Sequence, residues 1–278
     1  MAVTDGLAIK IVNIVVFAAL LGSNIYSVAG PEDIYRSGRE TWVTPSYYAN
    51  YVWSLIHLLL LFLMFYQFTE RGKQMFVDTV QWRFALLAVL NQAFVWLWYK
   101  HWYITAFILS LLVSATVSQI YYTIKSSESR GQETIADELL VHTPFSLWHG
   151  WSLVLVVLSG FEAFGRSVHS HGGHTGAWTK VFVFFAFLFL ESTAAAYAFS
   201  SREGDPAGAA VIAFYLFAVF MHQTGSGIHH DKFVKWTALV FFILSLFAIL
   251  KSVYGTFRKG GSLLHDEERA PLIQGSSD

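Results

Sequence analysis

The sequence predicts an all-α integral membrane protein, a bundle of about eight transmembrane helices, and three observations carry that prediction. Hydrophobic residues make up 55% of the 278, aromatic residues 17% and charged residues only 13%, more apolar surface than a soluble core of this size can enclose. The apolar residues fall in blocks of about 20, the length that crosses hydrocarbon as a helix. Four of the five prolines lie at block edges, Pro45, Pro144 and Pro206 at beginnings and Pro31 after an end, while Pro271 belongs to the tail. A formal charge of −1 gives no basic surplus for nucleic acid, and the absence of cysteine removes disulfides, thiolate nucleophiles and thiolate metal sites.

In order, spans are expected at about 8–29, 46–69, 83–101, 103–123, 144–165, 178–200, 207–224 and 233–253. The first has an alternative reading as a signal peptide, because Ser27-Val28-Ala29 offers small residues at a cleavage point; either way residue 30 lies outside the cytosol. The second begins after Pro45 and carries Tyr47, Asn50, Ser54 and His57. At 100° per residue these fall within roughly 80° of each other, a polar stripe that should face protein or a water-filled cavity. The third and fourth spans are divided only by Lys100 and His101. Asn91, Gln92, Trp96 and Trp98 lie in the third span and Trp148, His149 and Trp151 in the fifth. All four asparagines, Asn13, Asn24, Asn50 and Asn91, fall inside expected spans, where an amide needs a partner within the bundle.

In the sixth span Glu191 lies near the midplane, where a carboxylate serves either proton coupling or a structural hydrogen bond to a neighbouring helix. Ala194, Ala195 and Ala196, followed by Ala207, Gly208, Ala209 and Ala210, predict close packing of the sixth and seventh helices. If the helices alternate, eleven basic residues share the side of both termini and seven the other, which puts both termini in the cytosol.

Past residue 260 the chain turns polar and is expected to be a disordered tail. Glu268, followed by Leu272-Ile273 with Arg269 and Pro271 between, has the form of an acidic dileucine sorting signal. Clathrin adaptors read such signals in the cytosol, so the tail predicts a lysosomal or late endosomal membrane. Five histidines, His169, His171, His174, His229 and His230, then share the lumenal side. Imidazole suits zinc, copper or iron, but the lack of fixed ligand spacing and the flanking glycines favour a solvated or pH-responsive loop over a metal site.

Thr44-Pro45 is followed eight residues after the proline by Trp53; Asn91 and Trp96 follow in the third span, then Pro144-Phe145 and Gly150-Trp151. In order and local spacing these motifs resemble the translocator protein family, also called tryptophan-rich sensory proteins, over about residues 8–165. The resemblance implies a five-helix translocator-like unit, residues 1–165, to which 166–260 would add three helices and 261–278 a tail. It further implies a pocket between helices for porphyrins, sterols or aromatic lipophiles, with Trp53, Asn91, Trp96 and Trp151 lining it and residues 30–45 as its cover. His57 stands where the family has Tyr, which places in the bundle a group titrating near pH ~6.5 when unperturbed.

These readings converge on a multi-pass endolysosomal protein that binds, and in one version transports, a hydrophobic or amphipathic small molecule: a sterol, a porphyrin or something lipid-like. Tyr47, Asn50, Trp53, Ser54, His57, Asn91, Trp96 and Trp151 are the expected ligand contacts, and Glu191 and His57 the proton-coupling candidates. No catalytic residue and no firm cofactor is assigned. Membrane lipids and a clathrin adaptor are the expected partners, and a homodimer is left open. The alternative is a metal-dependent intramembrane enzyme acting on a lipid, built on His222, His229 and His230 with Glu191 or Asp231.

Overall fold

The computed structural model describes residues 6–29, 39–126, 134–165, 168, 175–199, 204–224 and 230–273, with no side chains described for 26–29 and 256–273. The described residues form eight long helices in the expected order: α1 Leu7–Ala29, α2 Tyr51–Tyr66, α3 Arg83–Tyr99, α4 Tyr103–Lys125, α5 Thr143–Phe164, α6 Ala177–Phe199, α7 Pro206–His222 and α8 Lys232–Ile273. Six helical runs are long and apolar enough to cross a membrane: Leu7–Ile25, Tyr47–Tyr66, Tyr103–Lys125, Ile135–Phe164, Ala177–Phe199 and Lys232–Gly255. The other two, α3 and α7, have 17 residues each. At 1.5 Å per residue they reach about 25 Å, somewhat less than a hydrocarbon core of ~30 Å.

Local chemistry sets the breaks. Lys100 and His101 do separate α3 from α4: His101 takes a left-handed backbone (φ 58°), and the Trp102 amide bonds back to the Leu97 carbonyl at 3.1 Å. Asp205 caps α7 by accepting from the Ala207 and Gly208 amides at 3.1 and 3.4 Å, with Pro206 in the first turn. The helix α8 continues to Ile273, past residue 260, where a disordered tail is expected; Leu, Glu, Arg and Ala in this stretch are strong helix formers.

The helices pack in a closed ring, α1 against α2, α2 against α5, α5 against α4, α4 against α3, and α3 against α1. Outside it α7 lies on α5, and α6 and α8 pack on α7. The contact between ring and outer unit depends on two glycines. A Cβ on Gly150 would sit 2.8 Å from the Gly208 carbonyl oxygen, and one on Gly208 would sit 2.5 Å from the Tyr197 ring. Lipid offers apolar side chains no less favourable a home than a neighbouring helix does, so such close backbone approach decides which helices associate.

Polar side chains fasten the rest. Asn13 donates to Gln67 (3.2 Å) between α1 and the end of α2, Ser110 bonds Ser159 (2.8 Å) and Ser152 donates to Ser114 (3.3 Å) between α4 and α5. At the near face, where α1 begins, Asp137 accepts from Tyr66 (2.8 Å) and Arg71 (2.9 Å), tying the turn after α2 to the lead-in of α5.

Candidate functional site

The candidate site is the interior of the five-helix ring. On α5, Gly150 marks the direction of α7. Counted at 100° per residue, Trp148, Trp151 and Glu162 lie within roughly 60° of each other and roughly 100–160° away from Gly150, toward the ring's interior. A contact across the ring agrees: Trp98 Nε1 on α3 donates to Glu162 Oε2 on α5, although these two helices are not neighbours in the ring. Asn91 precedes Trp98 by two helical turns and therefore shares its inward face. From α2, Trp53 meets Trp148 edge-on, with ring centroids 5.6 Å apart.

Within this interior several polar atoms have no hydrogen-bond partner among the described residues. Asn91 is 0% exposed and neither its amide nitrogen nor its amide oxygen is paired. The indole N–H groups of Trp148 and Trp151, on side chains equally enclosed, are also unpaired. Buried polar groups are almost always satisfied, and each exception requires an explanation.

At the far end, residues 39–46 pack against α5 and α7. Thr41, Trp42 and Val43 are buried; Tyr215 donates to the Val43 carbonyl (2.7 Å), the Ser46 amide to the Ala218 carbonyl (3.0 Å), and Arg39 to the Glu162 carbonyl (3.2 Å). His222 lies 3.1 Å from the Glu40 carboxylate. Of the cover expected at 30–45, residues 30–38 lie outside the described residues, and the contacts of 39–46 run to α5 and α7.

The expected ligand contacts divide. Trp53, Asn91 and Trp151 are buried in the ring, but Trp96 is 55% exposed and stacks edge-on with Trp102 outside it. Trp96 comes five residues after Asn91, roughly 140° around the helix, whereas Trp98 returns to the same face. The stripe on α2 also divides. Tyr47 is 59% exposed, Ser54 is exposed, Asn50 is half-buried, and only His57 is buried. The buried arc of α2 ends between His57 and Ser54, so the stripe straddles its edge instead of facing inward.

His57 is held from both ring nitrogens, with Nδ1 2.6 Å from the Trp53 carbonyl and Nε2 3.3 Å from Asn24 Nδ2 on α1. Since that carbonyl only accepts, Nδ1 carries the proton and Nε2 accepts from the amide, the pattern of a neutral imidazole. Glu191, half-buried on α6, accepts from Ser245 of α8, away from the ring. Of the five histidines considered for metal, His169, His171, His174 and His229 lie outside the described residues. Among the described residues no group of three His, Asp or Glu side chains is placed to hold a metal ion. The sorting-signal side chains Glu268, Leu272 and Ile273 also lie outside the described side chains.

Two acids escaped the sequence reading. Glu162, in the last turn of α5, is one. The other is Asp205, buried at the near face, where Oδ2 accepts from Tyr121 (2.8 Å) and Ser146 (2.6 Å) with His142 Nε2 at 3.8 Å. Beside it Tyr121 stacks on His149 (4.8 Å), and the His149 Nδ1 lies 2.6 Å from the Tyr197 hydroxyl. This cluster joins α4 and α5 of the ring to α6 and α7 outside it. On the outer side of α5, between it and α6, a cavity of about 800 Å³ is lined mainly by apolar residues, among them Val157, Phe161, Phe164, Trp178 and Phe182.

A family model described as TSPO-like protein matches residues 10–251. The match runs past residue 165 through α6 and α7 into α8, beyond the five helices whose motifs carry the resemblance. No curated protein and no solved structure matches the chain.

Proposed function

The chain belongs to the TSPO-like protein family, and from that premise we propose that this membrane protein binds a hydrophobic or amphipathic small molecule inside the five-helix ring. The observation that carries the reading is the set of unpaired polar atoms on Asn91, Trp148 and Trp151. An amide can give and take a hydrogen bond and an indole N–H can only give. A mostly apolar ligand with one or two polar atoms would satisfy them while its body fills space among aromatic walls. Sterols, porphyrins and lipid-like molecules have that character. The bonds of His57 to Trp53 and Asn24, and of Glu191 to Ser245, favour fastening over proton coupling for those two residues.

Binding is measured with the purified protein in nanodiscs, using protoporphyrin IX and cholesterol as probes. Asn91→Leu is expected to weaken the better-bound probe roughly 5–30-fold, the equivalent of about 1–2 kcal/mol for a buried hydrogen bond. Undiminished binding by a folded Asn91→Leu variant removes the reading.

The reading extends to a location in the lysosomal or late endosomal membrane with both termini in the cytosol, where a clathrin adaptor binds Glu268, Leu272 and Ile273. This rests on the sequence of the tail. Replacing Leu272 and Ile273 by Ala is expected to shift the protein to the plasma membrane, scored by surface biotinylation and imaging. Unaltered lysosomal delivery of that variant refutes the assignment.

A further inference from the structure

We propose that the cleft between α5 and α6, a site separate from the ring, holds one acyl chain of a phospholipid from the far-face leaflet. At the near face the two helices meet, the Tyr197 hydroxyl of α6 lying 2.6 Å from His149 Nδ1 of α5. Toward the far face they part, and the space between them is the cavity of about 800 Å³. One wall is the stripe Val157, Phe161 and Phe164 of α5, the other Trp178, Phe182 and Ala186 of α6, each at the three- and four-residue spacing that keeps side chains on one helix face. Trp42 and Val168, both buried, add a third wall at the far end, where the Val168 amide donates to the Glu40 carbonyl at 3.3 Å. The front is open: Trp178 is 77% exposed, and Phe164 and Phe182 are exposed as well.

Both helices are long and apolar enough to cross the membrane, so an open front between them faces hydrocarbon, and what enters comes from the bilayer. The cleft is about one leaflet deep. Trp178 to Ala186 is eight residues of helix, about 12 Å, against ~15 Å for half of the hydrocarbon core. Charge marks its far end: Asp231 caps α8 through the Phe233 and Val234 amides at 2.8 and 3.1 Å, accepts from the Thr175 hydroxyl, and lies 3.7 Å from Lys180 Nζ. A headgroup lies level with these polar groups while its chain runs down between the aromatic walls. The residues between Val168 and Thr175, His-Ser-His-Gly-Gly-His, offer no apolar side chain to such a space. A chain in the cleft touches protein on three sides, whereas a lipid against a convex helix face touches it on one. Dispersion contacts are small singly and large in sum, so the extra walls are what sets this chain apart from the general boundary lipid.

The test uses phosphatidylcholine with a diazirine in one acyl chain, mixed into phosphatidylcholine nanodiscs that hold the full-length protein; after irradiation, labelled peptides are quantified by mass spectrometry. Labelling per exposed residue is expected to be at least ~5-fold heavier on 156–164 and 178–186 than on the stretch of α8 with the exposed Phe247 and Leu250, the equivalent of about 1 kcal/mol. Ala186→Trp, which fills the deep end of the cleft with a side chain, is expected to lower the cleft labelling at least ~3-fold while helicity by circular dichroism is kept. Asn91→Leu, in the ring, is expected to leave it unchanged. Even labelling of the wild type over all lipid-facing helices overturns the inference, and that arm needs no variant to fold. So does cleft labelling that persists in a folded Ala186→Trp, or that Asn91→Leu abolishes, since the chain would then lie in the ring. A diazirine-bearing cholesterol that labels the cleft where the phosphatidylcholine does not also overturns it.

Discussion

Asp205→Ala is expected to destabilise the folded protein by about 3–5 kcal/mol, the range for breaking a buried charged network from one side. The carboxylate has several partners at once. It caps the first turn of α7 through the Ala207 and Gly208 amides and accepts from Tyr121 on α4 and Ser146 on α5. Losing the cap alone costs about 1 kcal/mol, and two enclosed hydroxyl donors lose a charged acceptor worth about 1.5–3 kcal/mol each as an upper range. Asp205→Asn keeps an acceptor oxygen and is expected to lose less than half as much. Thermal or SDS-induced unfolding of purified protein reports both, and an Asp205→Ala protein as stable as wild type would show that this cluster does not hold ring and outer unit together.

A comparable loss is expected for Gly150→Val, by a different mechanism. The new Cβ would lie 2.8 Å from the Gly208 carbonyl oxygen and 3.4 Å from the Val211 side chain, and the first of these is backbone that no rotamer change can move. The helices must separate, and α7 would lose the packing that sets the outer unit on the ring. Overpacking of this kind costs about 1–3 kcal/mol, and more where the obstacle is rigid. The signature is dissociation without local melting: helicity by circular dichroism stays near wild type while the unfolding midpoint falls. A wild-type midpoint would place the α5 and α7 backbones further apart than the structure has them.

The helices were legible because length, apolarity and proline position depend on local sequence alone. Even the thin divide at Lys100-His101 was readable, and the structure ends α3 there with one left-handed residue. The site was legible only where geometry within a single helix decides the matter. Trp98, not Trp96, shares the face of Asn91, and counting seven residues instead of five would have found it. The stripe on α2 misled for a reason peculiar to membranes: an apolar flank packs as readily against lipid as against protein, so the sequence does not mark where burial stops. Glu162 sits in the last turn of its span, where an acid ordinarily reads as reaching the membrane surface. Asp205 stands before a proline and reads as a helix cap, which it is, but the hydroxyls of Tyr121 and Ser146 reach it from parts of the chain 84 and 59 residues away. No window along the chain contains those meetings.

The anchoring of residues 39–46 on α7 has a consequence in time. The Val43 carbonyl waits for the hydroxyl of Tyr215, 172 residues later in the chain. At a synthesis rate of roughly 5–20 residues per second, that interval is on the order of 10–30 seconds. For roughly the last third of that interval, after α5 ends at Phe164, the first five helices can be in the bilayer with residues 39–46 still unanchored at their α7 end. In those seconds the far ends of α2 and α5 meet the surroundings of the translocating chain without the contacts to Tyr215 and Ala218 that the finished protein has.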